Sequence, residues 1–199
     1  MGTSSKKTVK VFCAMLVIAG VVIGGFYFLT NHLAETKSTS TSNEVKTLKE
    51  KDLDTGYPAI PTEVVKMYNR INKCMYNENL KEDDFDALLD KMRILFDDDF
   101  LKENPRDTHK ENFEKDVESF SKGKKSVVNT AVQENSQVKY QTIDKKECAS
   151  LVSSYMIKEK GEYVKTYEQF VLRKDSDGKW KIYGWDLTNA AAFDSTEAN

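Results

Sequence analysis

A chain of 199 residues is long enough for one domain with attachments, not for two full domains. Its formal net charge is -2, but Lys6, Lys7 and Lys10 precede the first acidic residue; taking those three from the 30 basic residues leaves 27 against 32 acidic ones. An acidic body of that kind repels phosphate backbones and argues against a nucleic-acid partner. Two histidines and three cysteines supply neither a multi-ligand zinc site nor a histidine-dependent triad.

In chain order, residues 1–10 read as a short cytoplasmic tail. Val11 to Asn31 contains no charged residue. At 1.5 Å per residue, Val11 to Leu29 makes about 28 Å of helix, the thickness of a bilayer core. Lysines lie on its leading side only, and Phe26, Tyr27 and Phe28 sit near its end. The expectation is a signal-anchor transmembrane helix over 11–30, with the N-terminus cytoplasmic and the remainder extracellular, in a single-pass cell-membrane protein. Gly20 and Gly24 form a G-x-x-x-G pair compatible with close helix approach. Residues 31–56, rich in Ser and Thr from Thr36 to Ser42, read as a flexible polar linker.

The folded part is expected over 57–190, with a disordered tail at 191–199. Pro61 suits a first helical position, and Val64, Tyr68, Ile71 and Met75 follow at helical spacing to about Asn77. Asn79 with Glu82 has the form of a capping box for a second helix carrying Phe85, Leu88, Leu89, Met92, Leu95 and Phe96. Thr108 with Glu111 repeats the signal before Phe113, Val117 and Phe120. Beyond Gly123 the period drops to two. A strand is expected over Val127 to Val132, with Val138, Tyr140 and Thr142 as its continuation or a neighbour, and further strands over Ala149 to Ile157, Tyr163 to Leu172 and Trp180 to Leu187, three or four adjacent strands in all, with turns at Asp144-Lys145, Gly161 and Asp175–Gly178. Strict alternation puts Trp180 and Ile182 on one face of the last strand and Tyr183, Trp185 and Leu187 on the other. Three helices followed by adjacent antiparallel strands define an α+β order.

The final hairpin, a tyrosine-bearing strand from Tyr167 to Lys174, the Asp175–Gly178 turn, then Trp180-Lys181-Ile182, resembles the closing strands of the NTF2-like (SnoaL-like, cystatin-like cone) superfamily. That resemblance implies three helices leaning on a curved antiparallel sheet, with Tyr68 and Tyr155 toward a cone interior and Asp90 or Asp97 near it. The overall layout is similar to single-pass membrane proteins of Gram-positive bacteria of the clostridial type, which carry no assigned activity.

A candidate pocket is composed of Tyr68, Tyr155, Tyr167, Trp180 and Trp185, because Tyr and Trp combine an apolar body with a polar tip and enrich binding surfaces. No catalytic set, metal set or cofactor motif is assigned. His109 is expected in solvent, and Asp97, Asp98 and Asp99 on a solvated surface. Cys74 and Cys148 are either two buried free thiols or, in an oxidising exterior, a disulfide. The main functional expectation is a membrane-anchored, extracytoplasmic, non-catalytic module that touches the bilayer through residues 11–30 and binds or assembles an envelope protein. The alternative is a small-molecule-binding or enzymatic NTF2-like cone that takes a small apolar ligand.

Overall fold

The computed structural model describes residues 41–194, and among these the chain forms six α-helices and five strands. Helix α1 (Thr41–Glu50) buries Val45 and Leu48, and Leu53 follows them into the core. The expected linker 31–56 therefore has its second half folded. Three apolar residues spaced along an otherwise polar segment suffice once a neighbouring helix receives them.

Helix α2 (Pro61–Asn77) begins at its proline, and Val64, Val65, Tyr68, Ile71 and Met75 are buried along one stripe. Helix α3 (Glu82–Arg93) opens on Glu82, Asp83 and Asp84 and closes on Lys91 and Arg93, charges that oppose the helix dipole at both ends. Neither expected capping box forms. The residues preceding α3 and α5 (Arg106–Lys122) are Lys81 and Pro105, without side-chain caps, and Thr108 lies inside α5. Leu95 and Phe96 match the α3 period but leave the helix, because the Leu95 carbonyl accepts from Ile182 N–H at 2.8 Å and Asp97 N–H donates to the Ile182 carbonyl at 2.9 Å. Asp97 then caps the short α4 (Asp98–Glu103) by accepting from Asp99 N–H at 2.9 Å.

The strands are β1 (Lys125–Val132), β2 (Lys139–Ile143), β3 (Lys146–Glu159), β4 (Glu162–Lys174) and β5 (Trp180–Thr188), with a single 3-10 turn at Asn135–Gln137 before β2. The order is β1-β3-β4-β5, with β2 also pairing β3, and every pairing between strands is antiparallel. Asp144 and Lys145 (φ 50° and 66°) turn β2 into β3, and Lys160 and Gly161 (φ 51° and 93°) turn β3 into β4. Two successive positive φ values are those of a type I′ turn, whose twist matches that of the strands. Helices cover one face of the sheet. On the opposite face lies α6 (Ala190–Asp194), held by Gln133 Nε2 donating to the Ala192 and Phe193 carbonyls at 3.0 and 2.9 Å.

Two expectations are corrected here. The sheet is open and uncurled, not the bent cone of an NTF2-like fold, and six helices rather than three accompany it among the described residues. No helix among the described residues is long and apolar enough to cross a membrane. The expected anchor 11–30 and tail 1–10 lie outside the described residues. The single-pass topology, the bilayer contact, the cell-membrane placement and the envelope-module function that rested on them thus have no element of this structure behind them, and that reading is withdrawn.

Candidate functional site

Between Ala149 and Ile157 of β3 and between Val164 and Leu172 of β4, the helix-facing side is apolar except toward its centre. Register pairs Ser153 with Glu168 and, across β4, Glu168 with Leu187. Leu151, Phe170 and Leu172 surround this point with fully buried carbon, so a glutamate here breaks the pattern of the strand. Glu168 is 5% exposed, and no lysine or arginine of the described residues forms an ion pair with it. Burial pushes its carboxyl up to about 7, with the Tyr155 hydroxyl pulling in the other direction.

A hydrogen-bonded chain lies beside it. Tyr155 O–H donates to Asn69 Oδ1 at 2.8 Å, Asn69 Nδ2 donates to Ser153 Oγ at 2.8 Å, and Ser153 O–H donates to the Ala131 carbonyl at 3.2 Å. Helix α2 supplies Asn69 and, one residue earlier, Tyr68, whose ring meets those of Phe170 and Trp185 at 5.4 and 5.5 Å. Trp185 also stacks on Phe96, Phe100 and Phe170. Burial raises the ionisation of Tyr68 and Tyr155 well above the ordinary phenol range, and the charge of Glu168 adds to it. Both phenols remain hydroxyl groups at neutral pH, able to donate.

Three of the five expected pocket residues come together here: Tyr68, Tyr155 and Trp185. Trp185 arrives by a device that alternation does not reveal. The β4–β5 register shifts between Val171 and Leu172, so that Leu172 opposes Ile182 while Phe170 opposes Trp185. The extra residue on β5 is a β-bulge, and it turns Trp185 and Leu187 onto the face that carries Trp180. Tyr183 alone of the three aromatic residues on the strand faces the other way, under the Arg173 guanidinium at 4.4 Å.

The other two residues lie elsewhere. Tyr167 is on the opposite sheet face against Phe193, ring centroids 5.8 Å apart. Trp180 is near the far end of β5, against Tyr140 at 5.8 Å. Asp90 and Asp97 do not approach the site: Asp90 pairs with Arg106 at 2.7 Å, and both oxygens of Asp97 are taken by Arg173, whose Nη2 also reaches Asp99 at 2.6 Å. Asp97 is thus buried, not part of a solvated run. His109 is buried as well, and Arg93 donates to its Nδ1 at 3.1 Å. Burial and the Arg93 charge lower its pKa to about 4. Cys74 and Cys148 are free and buried, and burial pushes the Cys74 thiol up to about 11. No group of three or more metal-ligating side chains gathers among the described residues.

Glu168 is the residue that sequence reading missed. Its signal was present: it occupies an inward position in the central run Val164, Thr166, Glu168, Phe170 and Leu172, whose other members are apolar or small. Lys165, Tyr167 and Gln169 on the outward face made it look like one more solvated charge.

The fold and site together define an α+β domain with a one-sided helical layer on an open antiparallel sheet and a carboxyl group buried between them. The chain belongs to the DUF6715 family, described as a domain of unknown function, whose family model matches residues 1–185. That match replaces the expected NTF2-like membership. No curated protein matches the chain.

Proposed function

We propose that this domain binds a small organic molecule at the Glu168 site, between α2 and the inner faces of β3, β4 and β5. The observation that carries the reading is a buried carboxyl group that has no cationic partner among the described residues, faced by Tyr155 and by the aromatic cluster of Tyr68 and Trp185. A lone buried carboxyl is unfavourable for folding alone, and Leu or Met would fill the same volume without the desolvation cost. Apolar walls with a few convergent polar groups and a shifted titration are the usual composition of a ligand site.

The carboxyl titrates near neutrality, which also suits it to exchange a proton with a bound molecule. A catalytic site would incorporate solvent deuterium into a bound carbon acid, whereas a binding site would leave it unlabelled. The test of binding itself is a fragment screen by two-dimensional NMR on the full chain, with Glu168→Gln and Tyr155→Phe in parallel. Fragments that shift the Asn69, Tyr155 and Trp185 signals and lose affinity about tenfold in either variant support the reading. A screen of several hundred fragments with no shift at those three residues would overturn it.

A further inference from the structure

The polar inventory around Glu168 bears on the charge of its ligand. A second carboxyl, Asp116 of α5, forms no ion pair among the described residues, and partial burial raises its pKa. Tyr76 of α2 is buried as well, and burial, with the charges of Asp116 and Glu168, pushes its phenol upward. Tyr76 is itself packed edge-on against Phe113 and Phe120 at 5.3 and 4.9 Å. Among the described residues, no ammonium or guanidinium is paired to Glu168 or to Asp116, while the rings of Tyr68, Trp185 and Phe170 cluster on the Glu168 side.

Aromatic faces carry partial negative charge, so rings and carboxylates favour the same kind of guest. A carboxylate or phosphate ligand would bring a further negative charge into a poorly solvated place where no cation of the described residues pairs with Glu168. A neutral ligand would leave Glu168 protonated and draw no advantage from its charge. An ammonium ion would supply the missing partner, which is the arrangement in which a buried charge is tolerated. The half-buried Thr166 lies two residues along β4 from Glu168, Leu187 at 52% exposure lies directly opposite it on the edge strand, and the half-buried Trp185 lies diagonally across on the same strand.

We propose that the ligand is an organic ammonium ion with an apolar or aromatic body, its nitrogen paired to Glu168 and its body against Tyr68 and Trp185. This rests on the small-molecule reading of the same site and adds the charge of the ligand to it. The titratable groups that feel the charge of Glu168 are Tyr155 from β3 and Tyr68 and Tyr76 from α2, and Asp116 of α5 acts on Tyr76. The three phenols stay neutral, and β5 contributes Trp185 and Leu187 there, neither of which titrates. Glu168 therefore sets the pH window.

The experiment titrates the full chain with three matched probes, 2-phenylethylammonium, 2-phenylethanol and phenylacetate, followed by NMR shifts of Tyr155, Glu168 and Trp185. At pH 8 the ammonium probe should bind at least tenfold more tightly than either of the others. Its affinity should fall roughly 30-fold by pH 5.5 as Glu168 takes up a proton. Glu168→Gln should abolish the preference and Glu168→Asp should keep part of it, while thermal unfolding confirms that both variants are folded. Equal or tighter binding of the alcohol or the acid at these residues would overturn the ammonium inference and leave the small-molecule reading intact. Ammonium binding that ignores Glu168→Gln places the cation elsewhere and also overturns it. No shift from any of the three probes at these residues would count against the inference and the site together.

Discussion

Two buried titratable residues dominate at the scale of single side chains, and their effects have opposite signs. Glu168 ordinarily loses its proton near 4.5 but holds it to about 7 in the fold. Between those values the folded state binds more protons than the unfolded one, so stability falls as pH rises through the window. A shift of that size amounts to about 3 kcal/mol. Glu168→Gln should match the wild type at pH 4 and exceed it by up to about 3 kcal/mol at pH 8, read from urea unfolding at both pH values. His109 behaves in reverse. Its ordinary value of 6.5 drops to about 4, so the unfolded chain protonates first and stability is lost as pH falls from about 6.5 to about 4. The Nδ1 contact with Arg93 requires an acceptor, because guanidinium only donates. His109→Gln keeps an acceptor and cannot protonate. It should be less stable than the wild type at pH 8 by about 1 kcal/mol and close that gap or reverse it by pH 4.5.

At the scale of elements, turns and caps decide where the chain changes direction. Lys160 sits at φ 51° ahead of Gly161 in the β3–β4 hairpin, a conformation that an L residue with a long side chain adopts at a cost. Lys160→Asn creates the Asn-Gly pair that type I′ turns favour. It should stabilise the protein by about 0.5–1 kcal/mol, seen as a higher urea midpoint at unchanged slope. Asp97 does two jobs, capping α4 and receiving Arg173 with both oxygens. Asp97→Ala leaves Arg173 with Asp99 alone and should cost about 3 kcal/mol, more than the ~1 kcal/mol of a simple cap. Asp99→Ala, which removes the more exposed partner, should cost about 1 kcal/mol or less. The ratio of the two losses is the check, since comparable values would mean that burial of the Asp97–Arg173 pair adds nothing.

For the whole molecule, the two linkages meet in one pH profile. Between about 4.5 and 6.5 the Glu168 and His109 slopes oppose each other, so wild-type stability should be nearly flat there. Glu168→Gln should convert the plateau into a rise with pH, and His109→Gln into a fall. Parallel profiles for all three proteins would mean that neither group is buried as described. A ligand that pairs with Glu168 should flatten the profile above pH 6.5 as well, because it removes the cost of the charge.

Much of this fold was legible in the chain. Apolar residues at 3.6 spacing located the main helices from Pro61 and Glu82, and alternation with turn residues located β1, β3, β4 and β5 while leaving β2 open as a continuation of β1, because each of those signals depends on neighbours within a few positions. The α+β order followed from the absence of helices between strands. What tertiary structure decided were the places where a distant partner overrides the local pattern. Pairing with Ile182 pulled Leu95 and Phe96 out of a helix whose period they fit, and Arg173 drew Asp97 into the interior. Arg93 and the ring cluster enclosed His109. The bulge in β5 placed Trp185 beside Tyr68, and the register of β3, β4 and β5 enclosed Glu168. A charged residue on an inward strand position reads as solvated or buried only once the layer above it is known. Packing of α2 on the sheet, which joins residues some 80 to 100 positions apart, is therefore what turned one glutamate among many into the centre of a site.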